Sequence, residues 1–385
     1  MLKQYRLKDY NFRLLFYMAV LGTIGVLLVG SADASLRNKQ LIGLMAGMIL
    51  TVIISLIDYS WVLYFHRILY LLNIGLLILV LLYGSNKKGA SRWMDLGFLQ
   101  FQPTELAKII IILFFAGFFM KHEKDLNTFK TILLSLVLIA IPLGLILRQP
   151  DLKNTLTILI LFCILIYVAG ISYRNIGKAL LIVVPLIIVG FLLITQTNLP
   201  ILSDYQKNRI MSFLDSDNDE YSDDVIQQNN SIMAIGSGRL TGKGLNNDDV
   251  NSSNKGNFVA ENQNDFIFAV AGEELGFVGC IIIMALEFLI SFECILTGIR
   301  SKDMAGNIIC CGAAALTAVQ GFINICVATG LLPNTGTNLP FVSYGLTSLL
   351  SLCIIMGFVL NVGLQRRRFT EKNGRSSVRA EIQKQ

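Results

Sequence analysis

Apolar residues fall along this chain in long unbroken blocks rather than in alternation. A helix that crosses a bilayer needs roughly 20 mostly apolar residues. Ten blocks of that kind stand out, at 14–30, 41–57, 66–84, 105–120, 131–147, 155–171, 179–195, 266–298, 304–330 and 344–364. Solid blocks predict helices and exclude a membrane β-barrel, whose strands would alternate. The expected fold is therefore all-α and polytopic, a single ten-span membrane domain over 1–364. A large loop at 195–264 separates spans seven and eight, and a basic tail follows at 365–385. As one straight helix the eighth block would be about 50 Å long at ~1.5 Å per residue, so it is expected to tilt or protrude.

Ten spans place both termini on one side. With the termini inside, inside segments hold 19 of the 32 Lys and Arg residues and the short outside loops hold seven. Five more lie in the long loop and Lys108 lies within a span. Positive residues mark the cytoplasmic side, so both termini are expected there and 195–264 outside. The N-terminus also mimics a cleavable leader, with Lys3, Arg6, Lys8 and Arg13 ahead of an apolar run and Ala32-Asp33-Ala34. Its retention as span one is the expectation, because losing it would invert the charge agreement. Arg366-Arg367-Arg368 begins a tail suited to anionic headgroups.

Composition narrows the class. The 385 residues are 54% hydrophobic and 15% charged, with net charge +6 and mean hydropathy +0.62. An ordinary soluble domain carries about 25% charge, so disorder and a soluble enzyme are both excluded. Nucleic acid is not expected as a partner, since the positive excess sits in short loops and a tail. All seven cysteines lie in apolar stretches, without a CxxC pair or a His/Cys cluster. Neither a disulfide framework nor a zinc site is expected. No internal repeat is evident, which disfavours an inverted-repeat transporter.

Function should lie where polarity survives at a cost, and four outside-facing regions qualify. The first runs from Gly89 through Arg92, Trp93 and Asp95 into Gln102-Pro103-Thr104-Glu105-Leu106-Ala107-Lys108. Glu105 and Lys108 share a helix face at i, i+3, either as an internal ion pair or as a cation presented to an anionic headgroup. Trp93 is an interfacial aromatic. The second region, Arg148-Gln149-Pro150-Asp151, reads as structural turn chemistry.

The third comprises the long loop and the start of span eight. Its acidic stretch from Asp215 to Asp224 lacks the Gly and final Glu of a calcium loop. Its Gly236–Gly244 run lacks P-loop spacing and reads as a flexible turn close to a ligand backbone. Asp265 is the last polar residue before an apolar helix, where it suits either a helix cap or a catalyst. Glu273 and Glu274 would lie about 12–14 Å into the membrane and are expected to find a partner on another span. The fourth region, Gly330–Gly345, is dense in Pro and Gly and carries no charge. Such backbone is tolerated at membrane depth only when buried in protein or lining a cavity.

Taken together, GASRWMDLG, QPTELAK, RQPDL, AIGSGRLTGKG, ENQNDFIFAVAGEELGFVG and GLLPNTGTNLPFVSYG resemble the SEDS family of peptidoglycan glycosyltransferases, the RodA/FtsW proteins. They run in family order over about residues 89–350, and the N-terminal spans and short tail look closer to RodA. The chain departs from the family pattern in places. PDLGT becomes Pro150-Asp151-Leu152-Lys153-Asn154, and SYGGSS becomes Ser343-Tyr344-Gly345-Leu346-Thr347-Ser348. The residues before Asp265 also differ, although the acid itself is kept.

The resemblance implies polymerisation of lipid II, a disaccharide-peptide on undecaprenyl diphosphate, outside the membrane, with inversion from an α-linked donor to a β-1,4 product. A single general base then suffices. Asp265 is the implied base for the acceptor 4-hydroxyl. Lys108 and Arg209 are candidates for the diphosphate, with Glu105 orienting Lys108. A divalent cation, Mg or Mn, would be held by Asp265 or Glu261. Trp93, Ser343 and Tyr344 would line the sugar or lipid path, and Glu261 would adjoin the base. The implied partner is a class B penicillin-binding protein, a transpeptidase, in the bacterial cytoplasmic membrane. A lipid II flippase and a non-catalytic scaffold remain open at this point.

Overall fold

The computed structural model describes residues 10–87, 90–95, 100–175, 177, 222–246 and 262–365. In chain order its α-helices are α1 (Phe12–Ala32), α2 (Ala34–Ser55), α3 (Tyr59–Tyr64), α4 (His66–Tyr83), α5 (Pro103–Lys121), α6 (Phe129–Arg148), α7 (Leu152–Val168), α8 (Ser222–Ser237), α9 (Ile267–Ile299), α10 (Met304–Ala328) and α11 (Leu346–Leu364). Eight are long and apolar enough to cross a membrane, and α7 is a shorter apolar helix of 17 residues. The expected run at 179–195 and the tail lie outside the described residues. The all-α expectation needs one correction. Strands β1 (Ser85–Lys87), β2 (Ala90–Asp95) and β3 (Gln100–Phe101) form a small antiparallel sheet in the order β1-β2-β3.

Short polar residues set the helix boundaries. Asp33 ends α1 and caps α2, accepting from Ser35 N at 2.9 Å, so Ala32-Asp33-Ala34 is a tight corner. Asn11, Asp58, Thr128, Asp151 and Asp303 cap α1, α3, α6, α7 and α10 in the same way. Each satisfies an amide that the first helical turn leaves without a partner.

Helices α5, α10 and α11 are buried along most of their length, and α2, α4 and α6 keep wide apolar faces exposed. Outward apolar faces are what a lipid-facing layer requires, while the inner layer packs on itself. Polar groups inside are paired across helices. Thr51 Oγ1 donates to Cys353 O at 3.0 Å, and Asn361 Nδ2 donates to Ser55 O at 2.8 Å.

The eighth apolar block is broken rather than one straight 50 Å rod. Within α9, Gly276 has φ 66° and ψ −166°, a conformation open essentially to glycine alone. The break is filled by the glycine-rich turn after α8. Lys243 N and Gly244 N donate to Glu273 O and Glu274 O at 2.9 and 3.0 Å, and Phe277 N and Val278 N donate to Arg239 O and Leu240 O at 2.9 and 3.1 Å. The approach leaves no room for side chains. A Cβ on Gly242 would lie 2.1 Å from Glu274 O, and one on Gly276 would lie 2.3 Å from Gly242 N. Gly238 and Gly242 of this run therefore serve close packing against the α9 backbone, while a Cβ on Gly236 or Gly244 would meet nothing within 4 Å.

The two glutamates precede that break, and Glu274 finds the expected partner on another span. Glu273 pairs with Lys243 of the glycine-rich turn at 2.8 Å. Glu274 accepts from Ser31 at the end of α1. Both belong to the short arm of α9 before Gly276.

Candidate active site

One end of the bundle gathers the starts of α5, α7, α9 and α11 and the ends of α1, α4, α6 and α10. Asp265 lies there on a turn over Asn262–Phe266, half-buried. It does not cap α9. The capping position is Phe266, with no side-chain cap bond, and the Asp265 carboxylate makes no hydrogen bond or ion pair with any described residue. Of the two roles open to it in the sequence, the structural one is thereby removed.

The turn is held through its backbone instead. Three successive carbonyls each accept a bond: Gln263 O from Tyr344 N at 2.9 Å, Asn264 O from Ser343 Oγ at 2.6 Å, and Asp265 O from Asn324 Nδ2 at 2.8 Å. Ser343 Oγ also accepts from Leu339 N at 2.7 Å, and Ser343 O accepts from Gln40 Nε2 of α2 at 3.2 Å. Two of the donors belong to the Gly330–Gly345 loop, which is packed into the protein as such backbone must be. Asn334, Thr337, Leu339, Phe341, Val342 and Ser343 are all buried. Against α1 the approach is closest at Gly25, where a Cβ would lie 2.7 Å from Phe341 O. Phe341 has φ 59°, a left-handed conformation uncommon for a bulky residue, so the loop carries strain beside the turn.

Ser343 and Tyr344 thus support the turn that carries Asp265. Trp93 lies in β2, half-buried, opposite Ser85. Arg209 and Glu261 lie outside the described residues. Glu105 and Lys108 form a sealed pair on the first two turns of α5. Lys108 Nζ is 2.9 Å from both carboxylate oxygens, and Glu105 and Lys108 are 5% and 1% exposed. Of the two arrangements open to this pair in the sequence, the structure shows the internal ion pair, with the Lys108 ammonium held by Glu105.

Around that pair the RQPDL turn works as structural chemistry. Asp151 is buried and caps α7, and its Oδ2 accepts from Asn154 Nδ2 at 2.8 Å with Gln102 and Thr104 at 3.4 and 3.5 Å. Arg92 Nε donates to Gln149 O at 3.3 Å, tying β2 to the same corner. Thr347 Oγ1 donates to Gln100 O at 2.8 Å, joining α11 to β3. The starts of α5, α9 and α11 carry no side-chain cap bond. Uncapped starts present amides and the positive end of the helix dipole, which favours an anionic ligand at this end.

Sequence reasoning passed over Asn324 and Glu287. Asn324 is a buried polar residue inside an apolar helix, and that rarity was the available signal. Glu287 in α9 is buried, with both carboxylate oxygens unbonded among the described residues. For metal, no group of three or more His, Cys, Asp or Glu exists among the described residues. Asp265 alone does not make a resident site, so the described donors do not fit one.

Comparison with known proteins places this arrangement. The FtsW/RodA/SpoVE cell cycle protein model matches residues 11–368. The chain is 33% identical over 346 residues to the peptidoglycan glycosyltransferase MrdB of Escherichia coli K12, covering 88% of each. It is 31% identical over 373 residues to a probable peptidoglycan glycosyltransferase FtsW of Wigglesworthia glossinidia brevipalpis, covering 93% of the chain and 94% of the relative. Among solved structures, it superposes with TM-score 0.74 and 27% identity on a chain of a peptidoglycan synthase complex described as coordinating polymerization and crosslinking, covering 93% of this chain and 99% of that one. The rod shape determining protein RodA of Thermus thermophilus matches with TM-score 0.67 and 26% identity, covering 93% and 98%.

Proposed function

We propose, from the premise that this chain belongs to the FtsW/RodA/SpoVE family, that Asp265 is the general base of its reaction. The chain is a multi-pass membrane protein and a peptidoglycan glycosyltransferase. It polymerises lipid II into β-1,4 glycan strands by a single inverting displacement.

The observation that carries the base assignment is the contrast at one turn. Three backbone carbonyls are fixed, while the carboxylate between them and α9 is left unengaged. In the reaction this carboxylate takes the proton of the acceptor sugar's 4-hydroxyl. The hydroxyl oxygen bonds to the anomeric carbon of the donor, whose bond to undecaprenyl diphosphate breaks with the electron pair leaving on the phosphate. Positioned acid–base chemistry of this kind contributes roughly 10²–10⁴-fold to rate. The leaving diphosphate is stabilised by the uncapped starts of α5, α9 and α11 and by Lys108, which exchanges Glu105 for a phosphate oxygen. Arg209 is the second candidate cation.

The wider reading is ten spans with both termini cytoplasmic, the 195–264 loop outside, and residence in the bacterial cytoplasmic membrane. A transpeptidase of the class B penicillin-binding type is the partner. The test is polymerisation of lipid II by the purified full-length chain, with Asp265→Asn beside the parent. Loss of polymer is expected, and polymerisation at the parent rate overturns the base assignment. Movement of labelled lipid II across vesicles without polymer would replace catalysis by transport.

A further inference from the structure

Two side chains outside the proposed chemistry grip adjacent peptides of the Gly330–Gly345 loop. From α10, Asn324 Nδ2 donates to Thr337 O at 2.6 Å and to Asp265 O at 2.8 Å. From α7, Lys153 Nζ donates to Gly336 O. Asn324 is 1% exposed, and its two amide hydrogens account for these two carbonyls. The flipped amide would set its oxygen against both carbonyls, so the orientation is determined by the contacts.

The consequence is a continuous connection between the two halves of the site. Lys153 stands on the first turn of α7, two residues after Asp151, whose carboxylate is bound by Asn154 and approached by Gln102 and Thr104 at the start of α5. Asn334 Oδ1 accepts from Gly336 N at 3.2 Å, stiffening the turn that Lys153 and Asn324 hold. The path runs from the Glu105/Lys108 end of α5, through Asp151 and Lys153, across Gly336 and Thr337, and through Asn324 to the peptide of Asp265. The glycine expected at position 153 from the resemblance could not make this contact.

We propose that Asn324 and Lys153 are positioning residues, a clamp on adjacent loop peptides that registers Asp265 against the start of α5. The proposal rests on the assignment of Asp265 as base. Neither residue touches substrate. Each acts by fixing main chain, and misplacement of a reacting group by about 1 Å can cost on the order of 10²-fold in rate. A merely structural Asn324 would lower stability and leave the turnover of folded protein unchanged, whereas a positioning Asn324 lowers turnover itself.

The experiment measures lipid II polymerisation by the full-length chain, with thermal unfolding to correct for folded fraction. Asn324→Leu keeps the side-chain volume and removes both donors. It is expected to lower the maximal rate about 10–100-fold while the half-saturating lipid II concentration changes by less than about threefold. Asn324→Gln keeps the amide donors and is expected to recover at least part of that loss. Lys153→Met is expected to slow turnover several-fold. Combined with Asn324→Leu, it should cost less than the product of the two single effects, because both act through one turn. Parental turnover in folded Asn324→Leu, equal turnover in the Leu and Gln variants, or fully multiplicative effects would overturn the clamp. If Asn324→Leu does not fold, Lys153→Met at the parental rate overturns it. Failure of the base assignment is separate, since Asp265→Asn would then polymerise whatever position 324 holds.

Discussion

The Glu105/Lys108 pair offers a sharp test of what a buried charge is for. Both residues are almost fully enclosed and the ammonium lies 2.9 Å from each carboxylate oxygen. Removing one partner of such a pair leaves an uncompensated buried charge and costs about 3–5 kcal/mol. At about 1.4 kcal/mol per factor of ten, that is roughly two to three and a half orders of magnitude in the folded-to-unfolded ratio. Replacing both partners by neutral groups of similar size removes that penalty and is often close to neutral. Lys108→Met alone and Glu105→Gln alone are therefore both expected to lower the unfolding temperature of the purified protein strongly. The double variant Glu105→Gln/Lys108→Met is expected to recover most of it. Polymerisation separates the two roles of Lys108. If the ammonium serves the leaving diphosphate, the double variant is stable and still poor at polymerising lipid II. A double variant that is stable and polymerises at the parent rate would refute that role and leave Lys108 as an internal counter-ion. A double variant no more stable than Lys108→Met would refute the electrostatic reasoning itself.

Two further substitutions test the geometry on either side of the base. Gly276→Ala places a Cβ 2.3 Å from Gly242 N at φ 66°, so strain of about 1–3 kcal/mol is joined by a backbone clash; the expected result is a markedly lower unfolding temperature or loss of folded protein, and an unchanged unfolding temperature would refute the account of the break in α9. Ser343→Ala removes the donor to Asn264 O and the acceptor for Leu339 N, each worth about 1–3 kcal/mol when its buried partner is left unsatisfied. Because Tyr344 N and Asn324 still hold the turn, turnover is expected to fall several-fold without being abolished, and a variant equal to the parent in both turnover and unfolding temperature would refute the supporting role.

Much of the site could be seen in the residues, and its working arrangement could not. Polar groups at the edges of apolar blocks mark the right regions, because such groups are retained there at a cost. Asp151 is legible as turn chemistry, and the structure makes it the cap of α7. Asp265 is legible only as one of two things, since the same position suits a cap and a base. Asn324 is not legible, because a single polar residue in an apolar run gives no sign of the two carbonyls it meets.

Local sequence by itself determined the membrane class, the helices and their ends. Apolar length and capping chemistry act over a few neighbouring residues, and a chain in lipid must satisfy its backbone within each segment. The tertiary structure alone decided that α9 breaks at Gly276, that Glu273 turns to Lys243, that Lys108 is enclosed by Glu105, and that Asp265 is left unengaged. Each of these depends on which backbone or side chain arrives from a distant part of the chain. Close approach of glycine to glycine and pairing of buried charge are settled by three-dimensional contact, to which helical periodicity and hydropathy are blind.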